Sequence, residues 1–196
     1  MQSITRRREI LATAFYARQT LAVARDLLGK YLVRQLPDGP RAGRLIEVEA
    51  YIGQQDLACH ASKGRTRRTE VMFGDPGRAY VYLIYGMYHC LNVVTEHREF
   101  PAAVLIRAVE DESGIIDGPG RVCRAYEIDL SLNCHDLSSG RMLWVEDRGV
   151  RIPKSQIGAY PRINIDYAGP WAAKPWRFRL KTAPVTTRLS IKSQRE

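Results

Sequence analysis

A glutamate, a tyrosine and a histidine that could act on one substrate lie close together in the chain: Glu49, Tyr51 and His60. The apolar residues Ile46, Val48, Ala50 and Ile52 recur at every second position, which is the period of a half-buried β-strand. Glu47, Glu49 and Tyr51 then share the opposite face. A carboxylate there could take a proton from an attacking water or stabilise a developing positive charge. A strand would hold it more firmly than a loop. The same pattern also describes the plain solvated face of a sheet, and the strand alone does not separate the two readings.

A second aromatic cluster follows. Residues 79–92 contain Tyr80, Tyr82, Tyr85 and Tyr88. Strand parity puts Tyr80 and Tyr82 on one face and Tyr85 on the other, with Tyr85 just before Gly86 where the chain should reverse. Tyrosines pack well in sheets, but an aromatic at a hairpin tip is oddly placed for a core and well placed to be pushed between base pairs.

Several elements must position these groups. Residues 20–28 read as a helix capped by Thr20, with Leu21, Ala24, Leu27 and Leu28 as its apolar stripe and Gly29 as its stop. Residues 30–36 and 43–52 read as partner strands around the turn Pro37-Asp38-Gly39-Pro40. Residues 53–71 form a long polar loop carrying His60 and the basic cluster Lys63, Arg65, Arg67 and Arg68; a loop of that length in a compact domain is usually functional. Strands are expected at 78–84, 88–95 and 102–110, and Gly118-Pro119-Gly120 leads into a helix from 121 to about 128. Residues 142–146 and 148–152 look like a further hairpin. Strands outnumber helices and follow one another directly. That argues a single α+β domain with a mixed, mostly antiparallel curved sheet, open-barrel or roll-like, with flanking helices and a protruding tyrosine-bearing hairpin. Residues 1–12 and 188–196 are expected to be flexible.

The chain has 196 residues, 30 Lys plus Arg against 21 Asp plus Glu, and a formal net charge of +9. Such an excess points to a polyanionic partner. No apolar run is long enough to cross a bilayer, and the start of the chain lacks the apolar stretch of a secretory signal. Cys59, Cys90, Cys123 and Cys134 form no C-x-x-C pair or zinc spacing, so reduced thiols and no metal are expected.

The run Glu49-Ala50-Tyr51-x-Gly53-x-x-Asp56-x-Ala58-x-His60 resembles the alkyladenine (3-methyladenine) DNA glycosylase family. So do Met72-Phe73-Gly74-x-Pro76-Gly77-x-x-Tyr80-Val81-Tyr82-x-Ile84-Tyr85-Gly86-Met87 and Cys90-x-Asn92. The likeness continues through Leu105-Ile106-Arg107-Ala108 and Gly118-Pro119-Gly120 to Tyr167-Ala168-Gly169-x-Trp171-Ala172-x-Lys174-Pro175. Motifs recurring in one order from about Phe15 to about Phe178 make chance a poor explanation.

The resemblance implies a base-excision-repair enzyme that flips a damaged purine out of duplex DNA. Its substrates would be of the 3-methyladenine, 7-methylguanine, hypoxanthine and ethenoadenine class. It implies Glu49 as the base that activates water, with Glu47 as runner-up, and Arg107 as the residue that positions the site and the flipped nucleotide's phosphate. Tyr51, His60 and Tyr82 would wall the base. Asn92 would lie at the pocket floor, where it would clash with the amino group of guanine. Tyr85 would be the intercalating wedge, and Arg65, Arg67 and Arg68 would contact phosphates. No lysine stands at a nucleophile position, so the enzyme would be monofunctional, leave an abasic site and need no cofactor. A monomeric, cytoplasmic, nucleoid-associated protein of bacterial type is expected, nuclear if eukaryotic. Family members commonly show Arg-Asn where this chain has Arg68-Thr69, which leaves the packing of that loop open.

Two other functions share some of these features. A non-catalytic nucleic-acid-binding module would use the basic charge and the tyrosine hairpin but would gain nothing from a carboxylate facing a polyanion. A metal-dependent nuclease would want clustered carboxylates, and none stands beside the tyrosines.

Overall fold

The computed structural model describes residues 8–181. Its frame is one ten-stranded sheet with the strand order β1-β8-β2-β3-β6-β5-β4. These strands are Glu9–Ile10 (β1), Tyr31–Leu36 (β2), Gly39–Ile52 (β3), Ala79–Ile84 (β4), Tyr88–Val94 (β5), Ala102–Asp111 (β6) and Leu143–Asp147 (β8). Off this path, Gly114–Asp117 (β7) pairs with β6, while Arg177–Leu180 (β10) pairs with both β3 and Ile157–Tyr160 (β9). Neighbouring strands are antiparallel throughout. The sheet is open, with short helices Thr13–Tyr16 (α1), Thr20–Leu27 (α2) and Pro119–Ala125 (α3) beside it, in keeping with the expected α+β class.

The core is the face that alternation predicts. Ile46, Val48 and Ala50 of β3 are buried with Val104, Ile106 and Ala108 of β6 and Leu91 and Val93 of β5. Helix α2 contributes Val23, Ala24 and Leu27. Gly43 sits inside β3 for a packing reason: a Cβ there would collide with the hydroxyl of Tyr126.

Four local expectations change. Thr20 does not cap α2 with its own side chain. Instead Glu96, held at φ 67°, accepts from both the amide and the hydroxyl of Thr20 at 2.6 and 2.8 Å. β3 begins at Gly39, because Pro37-Asp38 alone makes the turn and Leu36 pairs with Gly39. The hairpin expected at 142–152 does not form. β8 pairs with β1 and β2, while 148–152 is irregular after Gly149 at φ 75°, with Ile152 packed on the core. Flexibility expected up to residue 12 stops earlier: Glu9 and Ile10 are paired with β8, and Leu11 donates to Val145 at 2.9 Å. Residues 188–196 lie outside the described residues.

The long loop between β3 and β4 is ordered by two 3-10 turns, His60–Lys63 and Glu70–Phe73. The outer edge of β4 is also dressed. Asn133 Oδ1 accepts from the Val81 amide at 3.0 Å, and Ala79 exchanges backbone bonds of 2.8 Å with His135 and Cys134.

Candidate active site

Four adjacent strands deliver the site. Glu49 on β3 faces Leu105 on β6, Leu105 faces Asn92 on β5, and Asn92 faces Tyr80 on β4. Directly opposed residues share a face, so this row crosses the sheet on one side. Tyr51, Arg107 and Tyr82 stand two positions along their strands from Glu49, Leu105 and Tyr80, on the same side. Together with His60, Tyr85 and Cys90 they line a cavity of about 150 Å³. A further wall is the segment carrying Ile163, Asn164, Ile165 and Tyr167.

The face expected to be wet is not. Glu47 is 1 % exposed and Glu49 0 %, because Arg177 and Arg179 of β10, which pairs alongside β3, and the segment at Ile163 close over this side. A bulge around Glu47 shifts the register against β6 and separates the fates of the two carboxylates. Glu47 is saturated by three arginines: Arg107 at 3.0 Å, Arg177 at 3.2 Å and Arg179 at 2.9 Å. It does not line the cavity. Glu49 does. Its Oε2 accepts from the Tyr51 hydroxyl at 2.8 Å and its Oε1 from the Ile163 amide at 2.9 Å. Arg107 Nη1 lies 3.5 Å from Oε2. A carboxylate offers about four lone-pair positions, so two hydrogen bonds orient Glu49 and leave it capacity to accept from a further donor.

The surrounding groups hold defined protonation states. Burial, and after it the charge of Glu49, pushes the Tyr51 phenol well above its ordinary pKa, which keeps it an O–H donor toward that carboxylate. Burial opposes the charge on Arg107, but Glu49 and Glu47 beside it carry its pKa above the ordinary value. Burial, followed by the nearby charge of Arg68, lowers His60 to about 4, so the ring is neutral near pH 7. His60 Nδ1 is 2.8 Å from the Tyr80 hydroxyl. Its ring meets that of Tyr82 edge-on at 4.6 Å. The Asn92 amide donates through Nδ2 to the Tyr80 carbonyl at 3.2 Å, which fixes which end of the amide points where.

Tyr85 sits at the tip of the β4–β5 hairpin and is 75 % exposed. The reversal closes with the Met87 amide on the Ile84 carbonyl at 3.1 Å, with Tyr85 at φ 53° and Gly86 at φ 67°. A bulky residue in the left-handed region costs about 1–3 kcal/mol, and an aromatic held outward at that cost suggests a use.

The basic loop is more differentiated than its sequence. Arg65 is tied to Glu70 at 2.7 Å and Glu99 at 2.8 Å. Arg67 is exposed. The Arg68 guanidinium lies over the Tyr82 ring, 4.9 Å from its centroid. None of the three lines the cavity.

Sequence reasoning missed the segment that closes the site. Arg162, 5 % exposed overall, donates to Asp56 from both terminal nitrogens at 2.6 and 2.8 Å and to the Ala50 carbonyl at 2.9 Å. Its guanidinium backs the ring of Tyr51 at 4.8 Å. Ile163 follows directly and contributes its amide to Glu49. Local spacing holds no sign of that backbone contact. Cys59, Cys90 and Cys123 are buried free thiols, and Cys134 is an exposed one. Among the described residues, no group of three or more His, Cys, Asp or Glu could hold a metal ion, and no helix is long and apolar enough to cross a membrane.

The site thus sets a buried, oriented carboxylate against an aromatic-walled cavity. The sequence profile of the Methylpurine-DNA glycosylase (MPG) family matches residues 14–184, so the chain belongs to that family. It is a DNA glycosylase, a hydrolase of base excision repair. The chain is 53 % identical over 195 residues to a protein of Methanocella arvoryzae, covering 91 % of this chain and 96 % of that one. It is 52 % identical over 172 residues to one of Myxococcus xanthus, with 85 % and 88 % covered. A Legionella pneumophila protein is 50 % identical over 177 residues, with 89 % and 96 % covered. Each of the three is provisionally named a 3-methyladenine DNA glycosylase.

Proposed function

We propose that this glycosylase takes alkylated or deaminated purines out of duplex DNA into the cavity beside Glu49 and hydrolyses the N-glycosidic bond with water. The observation that carries the reading is Glu49 itself: fully buried, oriented by Tyr51 and Ile163, and facing the cavity while Glu47 is consumed by arginines. A base flipped into the cavity stacks against Tyr51 on one side and Tyr82 with His60 on the other. Water adds to the sugar C1′, the C1′–N bond breaks, and its electron pair leaves with the base: a cationic methylated purine departs neutral, and an uncharged purine departs as an anion that then takes up a proton. Glu49 takes the proton from water and stabilises the positive character of the sugar. Arg107 neutralises the buried carboxylates and holds Glu49 in place. The neutral His60 ring reads the base edge by hydrogen bonding, and Asn92 excludes the guanine amino group at the floor. The names of the relatives support 3-methyladenine as one substrate.

The partner is double-stranded DNA, and Arg67, with Arg65 beside it, contacts the backbone. A non-catalytic binding module fits less well. A carboxylate fully buried in a cavity would weaken binding to a polyanion and contribute nothing.

Single-turnover incubation of duplexes carrying hypoxanthine, ethenoadenine or 3-methyladenine, with EDTA present, should release free base and leave an intact strand with an abasic site. Prompt strand scission or loss of activity in EDTA would overturn the reading. The hairpin tip gives a second expectation. Tyr85→Ala should weaken binding to lesion duplex about tenfold or more, since the gap left by a flipped nucleotide then goes unfilled and unstacking a step costs a few kcal/mol. Unchanged affinity in a binding titration would remove Tyr85 from the wedge role.

A further inference from the structure

Arg68 stands apart from its basic neighbours. Its guanidinium lies 4.9 Å from the centroid of Tyr82, a wall of the cavity. Among the described residues it makes no ion pair, whereas Arg65 is held by Glu70 and Glu99. The opposite wall is backed by an arginine as well, since Arg162 lies 4.8 Å from Tyr51. That cation is balanced by the two bonds from Asp56. The base site is therefore flanked by one compensated guanidinium and one uncompensated one.

We propose that Arg68 is a specificity-determining residue which biases the cavity against cationic purines and toward uncharged ones; this rests on the glycosylase reading above. An aromatic face attracts a cation through its quadrupole. The Arg68 guanidinium already draws on the electron density of the Tyr82 ring, and its charge repels a second cation stacked on that ring. A base methylated at a ring nitrogen carries such a charge. Hypoxanthine carries none and stacks without that penalty. The field of Arg68 already reaches the base-reading side chain, because it adds to burial in keeping His60 neutral. At the separation of two groups sharing one ring, with Arg68 exposed and the base enclosed, a like-charge interaction is worth on the order of a tenfold bias.

The test compares single-turnover release of hypoxanthine from a defined duplex with release of 3-methyladenine from an alternating dA–dT duplex treated with a methylating agent. Arg68→Gln should raise the ratio of 3-methyladenine to hypoxanthine rates about tenfold. Arg68→Lys keeps the charge and should leave the ratio within about twofold. Arg67→Gln serves as the comparison for a backbone contact and should lower both rates alike. If Arg68→Gln also lowers both rates alike, with a shallower salt dependence, Arg68 is a phosphate contact and the inference is wrong. If the wild type releases neither base, the glycosylase reading fails instead, and the two failures are told apart by that control.

Discussion

Glu49→Gln should bind lesion-bearing duplex at least as tightly as the wild type and release base at least ~100-fold more slowly, the span over which a positioned acid–base group acts. The replacement preserves volume in a fully buried position. Its carbonyl oxygen can still accept from one of the two donors that hold Glu49, Tyr51 or Ile163. It can neither take a proton from water nor oppose the positive charge growing on the sugar. Removing a negative charge from a DNA-facing cavity also relieves repulsion, so affinity should hold or rise. Single-turnover rates and a binding titration on the same preparation measure both, with a melting curve to show that the variant is folded. Release within tenfold of the wild-type rate would mean that another group activates the water. Glu47 would not be its obvious replacement, since three arginines occupy it.

The second large effect is on stability. Asp56→Ala should destabilise the fold by about 3–5 kcal/mol, the cost of leaving one member of a buried ion pair without its partner. Both side chains of the Asp56–Arg162 pair are 0 % exposed. Asp56 also accepts from the amides of Ile52 and Ala58, at 3.1 Å each. The truncation therefore strands a guanidinium and two backbone donors together. The damage is local as well as global, because Arg162 backs Tyr51 and leads into Ile163. Activity should fall at denaturant concentrations where the sheet still holds. Chemical denaturation measures the first effect, and a loss under about 1 kcal/mol would show that the pair is dispensable. Replacing both partners, Asp56→Leu with Arg162→Met, should recover only the part due to the stranded guanidinium, since the amides of Ile52 and Ala58 and the carbonyl of Ala50 stay unpaired. The Tyr51 wall would still lose its backing.

These two residues show what could be read from the chain. Glu49 was legible because strand periodicity and the motif around it are local, and because Tyr51 shares its face by parity alone. Its burial was not legible. Alternation distinguishes two faces of a strand but does not say what covers the second one. Here the cover arrives from residues 161–180, more than a hundred positions later, as a layer of arginines on carboxylates. Asp56 was visible only as a motif position, because its partner Arg162 comes from that same distant segment. The hairpin tip was read correctly from Tyr85-Gly86, since a glycine after an aromatic between two strand patterns is a turn signal. The failed hairpin at 142–152 has the opposite cause. Its first half is a genuine strand, but its partners are β1 and β2, and pairing choice between distant strands leaves no mark in local pattern. The basic loop misled in a milder way: equal charges in sequence became one tethered arginine, one exposed arginine and one arginine lying on an aromatic ring.

The dressed edge of β4 bears on crowding. A bare strand edge invites another chain to add to it. Asn133 there imitates the carbonyl of a neighbouring strand for Val81, and His135 and Cys134 occupy the backbone of Ala79. Two copies that meet thus find the first half of this edge, at Ala79 and Val81, already taken. The exposed Tyr85 can stand proud of the molecule with less risk of its strand becoming a seed for fibres.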